Sequence, residues 1–204
     1  MWSFILKGGY LMYPLLFCSV LALAIILERT IIFSKLTLPR LPFLEKIGEL
    51  LSRGKVLDAI SSCEEYNLPL SRVIKAGLLN HDRDVEIVKE AMETQLEEEI
   101  PLMERHLGIL ATLSAVSPLL GLLGTVSGMV KIFSTIEAGG GMVDPGSLAG
   151  GIWEALLTTV FGLMIAIPSL IAYNYFQSRM RSLLREIRLA MKKLIKILES
   201  ATYV

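Results

Sequence analysis

Three long apolar runs divide the chain, and the segments between them alternate apolar and charged residues at helical spacing. A helix needs about 20 apolar residues to cross a bilayer. The runs that meet this length extend from Tyr10 to about Leu27, from Leu107 to Val130 and from Ile152 to Phe176. The middle run has no charged residue, and the last has one, Glu154. This pattern predicts three transmembrane helices.

The first run is expected to stay in the mature protein as a membrane anchor. A signal peptide would be followed by a small-x-small cleavage site, whereas this run ends at Glu28 and Arg29. We therefore favour a retained anchor over a cleaved leader.

Helical spacing continues between the first and second runs. Three short helices are predicted at Pro42–Arg53, Lys55–Tyr66 and Pro69–Asn80, because glycine or an Asn-Leu-Pro sequence interrupts the pattern between them. From Asp84 onward the apolar positions advance by threes and fours into the second run, which predicts one continuous helix. Pro101 lacks a backbone donor and is predicted to kink that helix.

Charged residues accompany both long helices outside the apolar runs. The acidic residues Glu97, Glu98 and Glu99 are interpreted as a solvated helix face, with a binding patch as the alternative. The carboxyl-terminal segment places an apolar stripe beside a basic face, and we expect it to form a bundle with the helix that starts at Asp84. The alternative for a basic amphipathic helix is to lie on anionic lipid.

The distribution of basic residues predicts the orientation. Residues 34–106 contain ten Lys or Arg, the segment from Gln177 contains seven, and residues 136–151 contain none. Basic segments stay on the cytoplasmic side of a membrane. The predicted organisation is therefore an outward-facing amino terminus with the first span (1–33), a cytoplasmic helical domain (34–106), the second span (107–136), an outward-facing loop (137–151), the third span (152–176) and a cytoplasmic helix (177–204).

Composition agrees with a membrane protein and excludes several other classes. Hydrophobic residues make up 53% of the 204 positions, and 20 basic residues balance 20 acidic ones, so no basic excess indicates nucleic acid. Cys18 and Cys63 are far apart, as are His81 and His106, so neither a disulfide framework nor a metal site is indicated. Nucleophile-elbow, P-loop and dinucleotide-binding motifs are missing. We predict no enzymatic activity, cofactor or metal.

Small and hydroxylated residues follow one face of each of the last two spans. In the second span these are Ser114, Pro118, Gly121, Thr125 and Gly128; in the third they are Thr159, Gly162, Ala166 and Ser169. Such faces allow close contact between helices. Gly121, Gly124, Gly128 and Gly162 are the predicted close-packing positions, and Pro118 is a predicted kink.

Polar groups within the spans are the candidate functional residues. A charge inside a span costs about 2.5 to 3.5 kcal/mol on insertion scales, and such residues usually mark ion pathways. Glu154 is therefore interpreted as a functional group near the mouth of a polar pathway, with an interfacial carboxylate as the alternative. Thr125 and Thr159 are predicted to present two hydroxyls at similar depth on antiparallel neighbouring helices. The alternative for each hydroxyl is a bond to its own helix, and one carboxylate near the mouth requires a second titrating group from a partner.

The two spans also resemble a known family. Residues Ser117–Phe133, SPLLGLLGTVSGMVKIF, and Gly151–Phe176, GIWEALLTTVFGLMIAIPSLIAYNYF, are similar to the MotA/TolQ/ExbB proton-channel family, most of all to its ExbB and TolQ branch. The flagellar branch has four spans, whereas three are predicted here, so a flagellar role is disfavoured.

The resemblance implies an all-α integral protein of the bacterial inner membrane, with its outward-facing segments in the periplasm, that assembles as a pentamer around two copies of an ExbD- or TolR-like single-span partner. It implies coupling of the proton motive force to transport or other work at the envelope, with a TonB- or TolA-like protein as a further partner. By the same likeness Thr125 and Thr159 match threonines that line a proton pathway, with Thr158, Ser114 and Ser169 as further lining candidates, and Glu154 matches a glutamate near the outer end of the third span. A non-conducting membrane scaffold of an envelope complex is the alternative function.

Overall fold

All regular secondary structure in the part of the chain that the structure describes is helical. The computed structural model describes residues 9–36, 40–138 and 144–202. The helices are α1 (Met12–Lys35), α2 (Arg40–Ser52), α3 (Val56–Tyr66), α4 (Pro69–Leu78), α5 (Val85–Glu104), α6 (Leu107–Ala138) and α7 (Pro145–Thr202). The stretches Met12–Lys35, Val85–Ala138 and Leu148–Glu199 each contain a segment long and apolar enough to cross a membrane. The predicted all-helical fold with three such helices is confirmed.

The chain divides into two compact units. The first, here called the apolar unit, comprises residues 1–30 and 106–176, and thus contains most of α1, all of α6 and the first part of α7. The second, here called the charged unit, comprises residues 31–105 and 177–204, with α2 to α5 and the rest of α7. Residues 1–8 and 139–143, which fall in the predicted periplasmic segments, lie outside the described residues.

Helix α1 of the apolar unit buries one face and exposes the other. The buried positions Met12, Leu15, Cys18, Ala22 and Ile25 are spaced by three or four residues, so they lie along one side of the helix. The opposite side exposes large apolar side chains such as Phe17, Val20 and Leu23. Apolar residues also remain exposed on α6 and α7, among them Leu119, Leu123, Val126, Val160 and Met164. Exposed apolar surface of this extent is typical of contact with lipid or with other chains.

The charged unit has a core of large side chains. Phe43, Ile74, Leu78, Met92 and Ile187 are each no more than 2% exposed. Gly77 makes room for this packing, because a Cβ there would lie 2.7 Å from the Met92 sulfur and 3.2 Å from Leu194 Cδ2. The apolar stripe of the carboxyl-terminal segment is therefore buried in this core.

A break separates α5 from α6, so the predicted continuous helix is wrong. Helix α5 runs through Pro101 and ends at Glu104, and His106 has a positive φ of 63°. Histidine is among the residues enriched in the left-handed region, which ends regular α-helix hydrogen bonding. The imidazole Nδ1 of His106 lies 2.7 Å from Glu28 Oε2, and Glu28 Oε1 also accepts from the Arg29 guanidinium at 3.1 Å. Apolar spacing cannot reveal a break at one residue, because the periodicity resumes immediately after it.

The interpretation of the acidic run as solvated is wrong for Glu99. Glu97 and Glu98 are exposed, but Glu99 is 2% exposed and accepts two hydrogen bonds from Arg72, at 2.5 Å from Nε and 2.7 Å from Nη2. Arg72 also donates to the backbone and side-chain oxygens of Asn67, at 3.1 and 3.0 Å. The Glu99 carboxylate raises the pKa of Arg72 above its ordinary value. This bidentate ion pair joins the first turn of α4 to α5.

Candidate functional site

Backbone atoms of α6 and α7 meet along a seam of small residues. A Cβ added to Gly121 would lie 2.9 Å from the carbonyl oxygen of Thr158 and 2.9 Å from Thr159 Cα. A Cβ on Gly128 would lie 2.8 Å from that of Ala155, and one on Gly162 would lie 2.5 Å from the Ser117 carbonyl oxygen. The pairs run in opposite directions along the two helices, so α6 and α7 are antiparallel here. Each contact leaves no room for a side chain.

Thr158 and Thr159 lie on this seam and share one acceptor. Thr158 is 2% exposed, and its hydroxyl donates to the Ala155 carbonyl at 2.7 Å and lies 3.3 Å from that of Gly121. Thr159 donates to the same Gly121 carbonyl at 3.0 Å. A hydroxyl has one hydrogen to donate but two lone pairs with which to accept. Both oxygens therefore keep the capacity to accept a hydrogen bond.

The other predicted lining hydroxyls bond within their own helices. Thr125 is half-buried and donates to the Leu122 carbonyl at 2.7 Å, and it lies one turn along α6 from Gly121. Ser114 donates to Ala111 at 2.7 Å, and the buried Ser169 donates to Ile165 at 2.7 Å. A hydroxyl that donates to a carbonyl of its own helix is easily accommodated in an apolar helix.

Glu154 borders two clefts at one end of the seam. The first has a volume of about 260 Å³ and is lined by Gly128, Lys131, Ile132, Thr135, Leu148, Gly151 and Glu154. The second has about 130 Å³ and is lined by Gly9, Tyr10, Leu11, Gly124, Ser127, Gly128, Lys131, Glu154 and Thr158. Glu154 and Thr158 are one helical turn apart, so they share a face of α7. The second cleft brings Glu154 and Thr158 together, while Thr125, Thr159, Ser114 and Ser169 lie outside both linings.

The backbone of Gly9 approaches the Glu154 carboxylate closely. Gly9 has a φ of 67°, and a Cβ there would lie 2.5 Å from Glu154 Oε1. Only glycine adopts this conformation readily and leaves space for the carboxylate. Sequence patterns did not identify Gly9, because it precedes the apolar run and belongs to no helix.

Lys131 is the second residue that the sequence patterns did not single out, because it directly follows the second apolar run. It lies seven residues after Gly124 and three after Gly128, so it shares their face of α6. That spacing was the signal available in the sequence. In the structure, Lys131 and Glu154 both line each of the two clefts.

Two antiparallel apolar helices meet here at a seam of glycines, and buried hydroxyls and a carboxylate lie within the span. These features define a polytopic membrane protein with a polar site among its helices. Residues 65–189 match the model of the MotA/TolQ/ExbB proton channel family. The chain belongs to this family.

Individual relatives agree with the ExbB and TolQ branch. The chain is 34% identical over 175 residues to the biopolymer transport protein ExbB-like 3 of Synechocystis sp., covering 85% of this chain and 83% of that one. It is 28% identical over 176 residues to the Tol-Pal system protein TolQ of Haemophilus influenzae, covering 81% and 77%. It is 39% identical over 103 residues to the biopolymer transport protein ExbB of Salmonella typhimurium, covering 48% and 42%.

Proposed function

We propose that this chain is the channel subunit of an inner-membrane motor that couples the proton motive force to transport or other work at the cell envelope. Its working partner is an ExbD- or TolR-like single-span protein, and a TonB- or TolA-like protein carries the force across the periplasm. The observation that carries the proposal is the polar site around Glu154 and Thr158 within otherwise apolar helices. Membership of a proton channel family supports it.

In this proposal the polar residues bind and pass on protons and do not catalyse a reaction. Glu154 exchanges protons with water at the outer mouth. Thr158 and Thr159 already donate to backbone carbonyls, so their oxygens are left to accept from water or from a protonated acid. Thr125 has the same capacity, because its hydrogen is directed to Leu122. The partner supplies the titrating carboxylate that the deeper part of these spans lacks.

Five copies of the chain surround two partner helices in this proposal. The apolar faces that α6 and α7 leave exposed support contacts with neighbouring copies and with the partner. The basic segments face the cytoplasm and the loop after α6 faces the periplasm, in agreement with the distribution of Lys and Arg. The two partner helices do not match the symmetry of a ring of five copies, so their two carboxylates face the ring differently at any moment. Protonation of one carboxylate at a time then favours stepwise rotation of the partner helices.

The energy of each step limits what one proton can do. A charge that moves through about 100 mV releases about 2.3 kcal/mol. Envelope work therefore requires several successive protons, whose effects accumulate in a stiff body such as the uninterrupted helix α7.

Proton flux into liposomes that contain the chain and its partner tests the proposal. Thr125→Val and Thr159→Val keep the side-chain shape and remove an acceptor, and Glu154→Gln removes the titrating group, so each should reduce flux by about tenfold or more without dissociating the complex. Thr112→Val is the matched control, because Thr112 is an exposed threonine of α6 that donates to its own helix, to Gly108 at 2.9 Å.

The scaffold alternative makes the opposite prediction. A scaffold requires the glycine seam but is indifferent to the hydroxyls and to the charge of Glu154. Unchanged flux in all three variants, or no flux from the unmodified complex, would contradict the channel proposal. Counting the copies of each protein in the purified complex tests the five-to-two stoichiometry separately.

A further inference from the structure

The two clefts beside Glu154 share one basic residue in their linings, the exposed Lys131. Lys131 and Glu154 are the charged residues in both linings, and no ion pair within 4 Å joins them among the described residues. Lys131 is also the only Lys or Arg between Arg105 and Arg179. It lies within α6, which continues for seven residues to Ala138. Lys131 therefore lies at the end of the apolar run but not at the end of the helix.

Hydroxyl oxygens also line the two clefts, that of Thr135 the first cleft and those of Ser127 and Thr158 the second. Thr135 and Ser127 donate their hydroxyl hydrogens to the carbonyls of Lys131 and Gly124, at 2.9 and 3.2 Å, and Thr158 donates to Ala155. Their oxygens can therefore act as acceptors or ligands. A carboxylate with several neutral oxygens is the ligand type that hard metal cations prefer. Without a competing charge, this arrangement would suit sodium as well as protons.

We propose that Lys131 determines ion selectivity at this site, because its positive charge borders the same two clefts as Glu154 and disfavours sodium there. Sodium must bring a full charge and needs several ligand oxygens, so a fixed ammonium nearby raises its free energy in the cleft. A proton forms an O–H bond with the carboxylate and needs no further ligands. This inference rests on the proposed function and adds the residue that restricts the pathway to protons.

Sodium binding to the purified chain in lipid nanodiscs tests the inference without any flux measurement. The thermal midpoint is compared between N-methyl-D-glucamine chloride and sodium chloride at equal ionic strength, because a ligand that binds the folded state raises that midpoint. Lys131→Met and Lys131→Gln should gain sodium-dependent stabilisation, with sodium affinity raised on the order of tenfold by loss of a unit charge. The unmodified chain and Lys131→Arg should show no such gain.

A second substitution identifies where sodium binds. Adding Glu154→Gln to Lys131→Gln should abolish the response, because it removes the carboxylate ligand. Absence of sodium stabilisation in both Lys131→Met and Lys131→Gln would overturn the inference. So would a response that persists in the double variant, because the sodium would then bind elsewhere.

Flux measurements separate this inference from the proposed function. If the unmodified complex conducts protons and sodium neither competes with nor replaces them in Lys131→Gln, the selectivity role of Lys131 is wrong and the channel proposal stands. If the unmodified complex conducts nothing, the channel proposal is wrong, and the nanodisc result alone decides whether Lys131 excludes sodium.

Discussion

The apolar unit and the charged unit hold their helices together by different means. In the apolar unit, α6 and α7 approach until backbone atoms touch, and the residues at the contact are glycines and other small residues. In the charged unit the helices are separated by large side chains and joined by an ion pair between the buried Glu99 and the partly exposed Arg72. In a membrane, an apolar side chain gains little by moving from lipid to a helix contact, because lipid tails are equally apolar. Close packing must therefore supply the attraction between the helices. In water, burial of large apolar side chains supplies it.

A leucine at Gly121 should produce the largest effect and would test whether the apolar unit depends on backbone contact. Its Cβ would meet backbone atoms of α7 at 2.9 Å, and these cannot move aside as a side chain can. We expect loss of the folded α6–α7 pair, measured as loss of a monodisperse peak and of the thermal transition in mild detergent. Gly108→Leu is the control in the same helix, because nothing lies within 4 Å of its Cβ. Equal behaviour of the two variants would contradict the seam.

The ion pair of the charged unit should give the next largest effect. Glu99→Gln leaves the Arg72 guanidinium without its counterion and should destabilise α4 and α5 by about 1 to 2 kcal/mol, because Arg72 is 36% exposed and water can hydrate it in part. Faster amide hydrogen exchange in these two helices measures the effect. Replacing both Arg72 and Glu99 with methionine should restore much of the protection, since an apolar pair carries no uncompensated charge.

An exposed pair serves as the control for that experiment. Arg53 and Glu49 form an ion pair at 2.5 Å with both side chains more than 60% exposed. Exposed pairs contribute at most about 1 kcal/mol. Glu49→Gln should therefore leave the exchange of α4 and α5 unchanged, and an effect as large as that of Glu99→Gln would show that the buried pair has no special role.

The smallest effect concerns reactivity rather than stability. Cys63 is 1% exposed, and burial raises its pKa to about 12. At pH 8 only about one thiol in ten thousand would be ionised, and the thiolate is the reactive form. Alkylation by iodoacetamide should therefore be negligible in the folded chain and rapid in urea, as followed by mass spectrometry. Rapid labelling without urea would show that the core of the charged unit opens readily.

The spans and the seam could be predicted because both depend on local sequence. Twenty apolar residues suffice to indicate a span, and small residues at intervals of three and four indicate a close helix contact. The burial of Glu99 could not be predicted, because three consecutive glutamates look alike and the distinction depends on Arg72, 27 residues away. The break at His106 depends on one backbone angle and on Glu28, 78 residues away.

The site was predicted in part. The polar residues of the third span stood out because an acid and two hydroxyls are rare in an apolar run. Lys131 and Gly9 did not, since a lysine near the end of a span looks like a flanking charge and a glycine before a helix looks like a turn. Their proximity to Glu154 arises only in the folded chain, because residues that are distant in the sequence line one cleft there. The lining roles of Thr125, Thr159 and Glu154 stay predictions.

The contact of α6 with α7 through backbone atoms has a consequence for extraction of the protein. Detergent tails are too wide to enter a gap that does not admit a methyl group, as at Gly162. Solubilisation therefore replaces the surroundings of the outer faces and leaves α6 paired with α7. In the proposed assembly, the choice of detergent would then affect contacts between copies before it affected this helix pair.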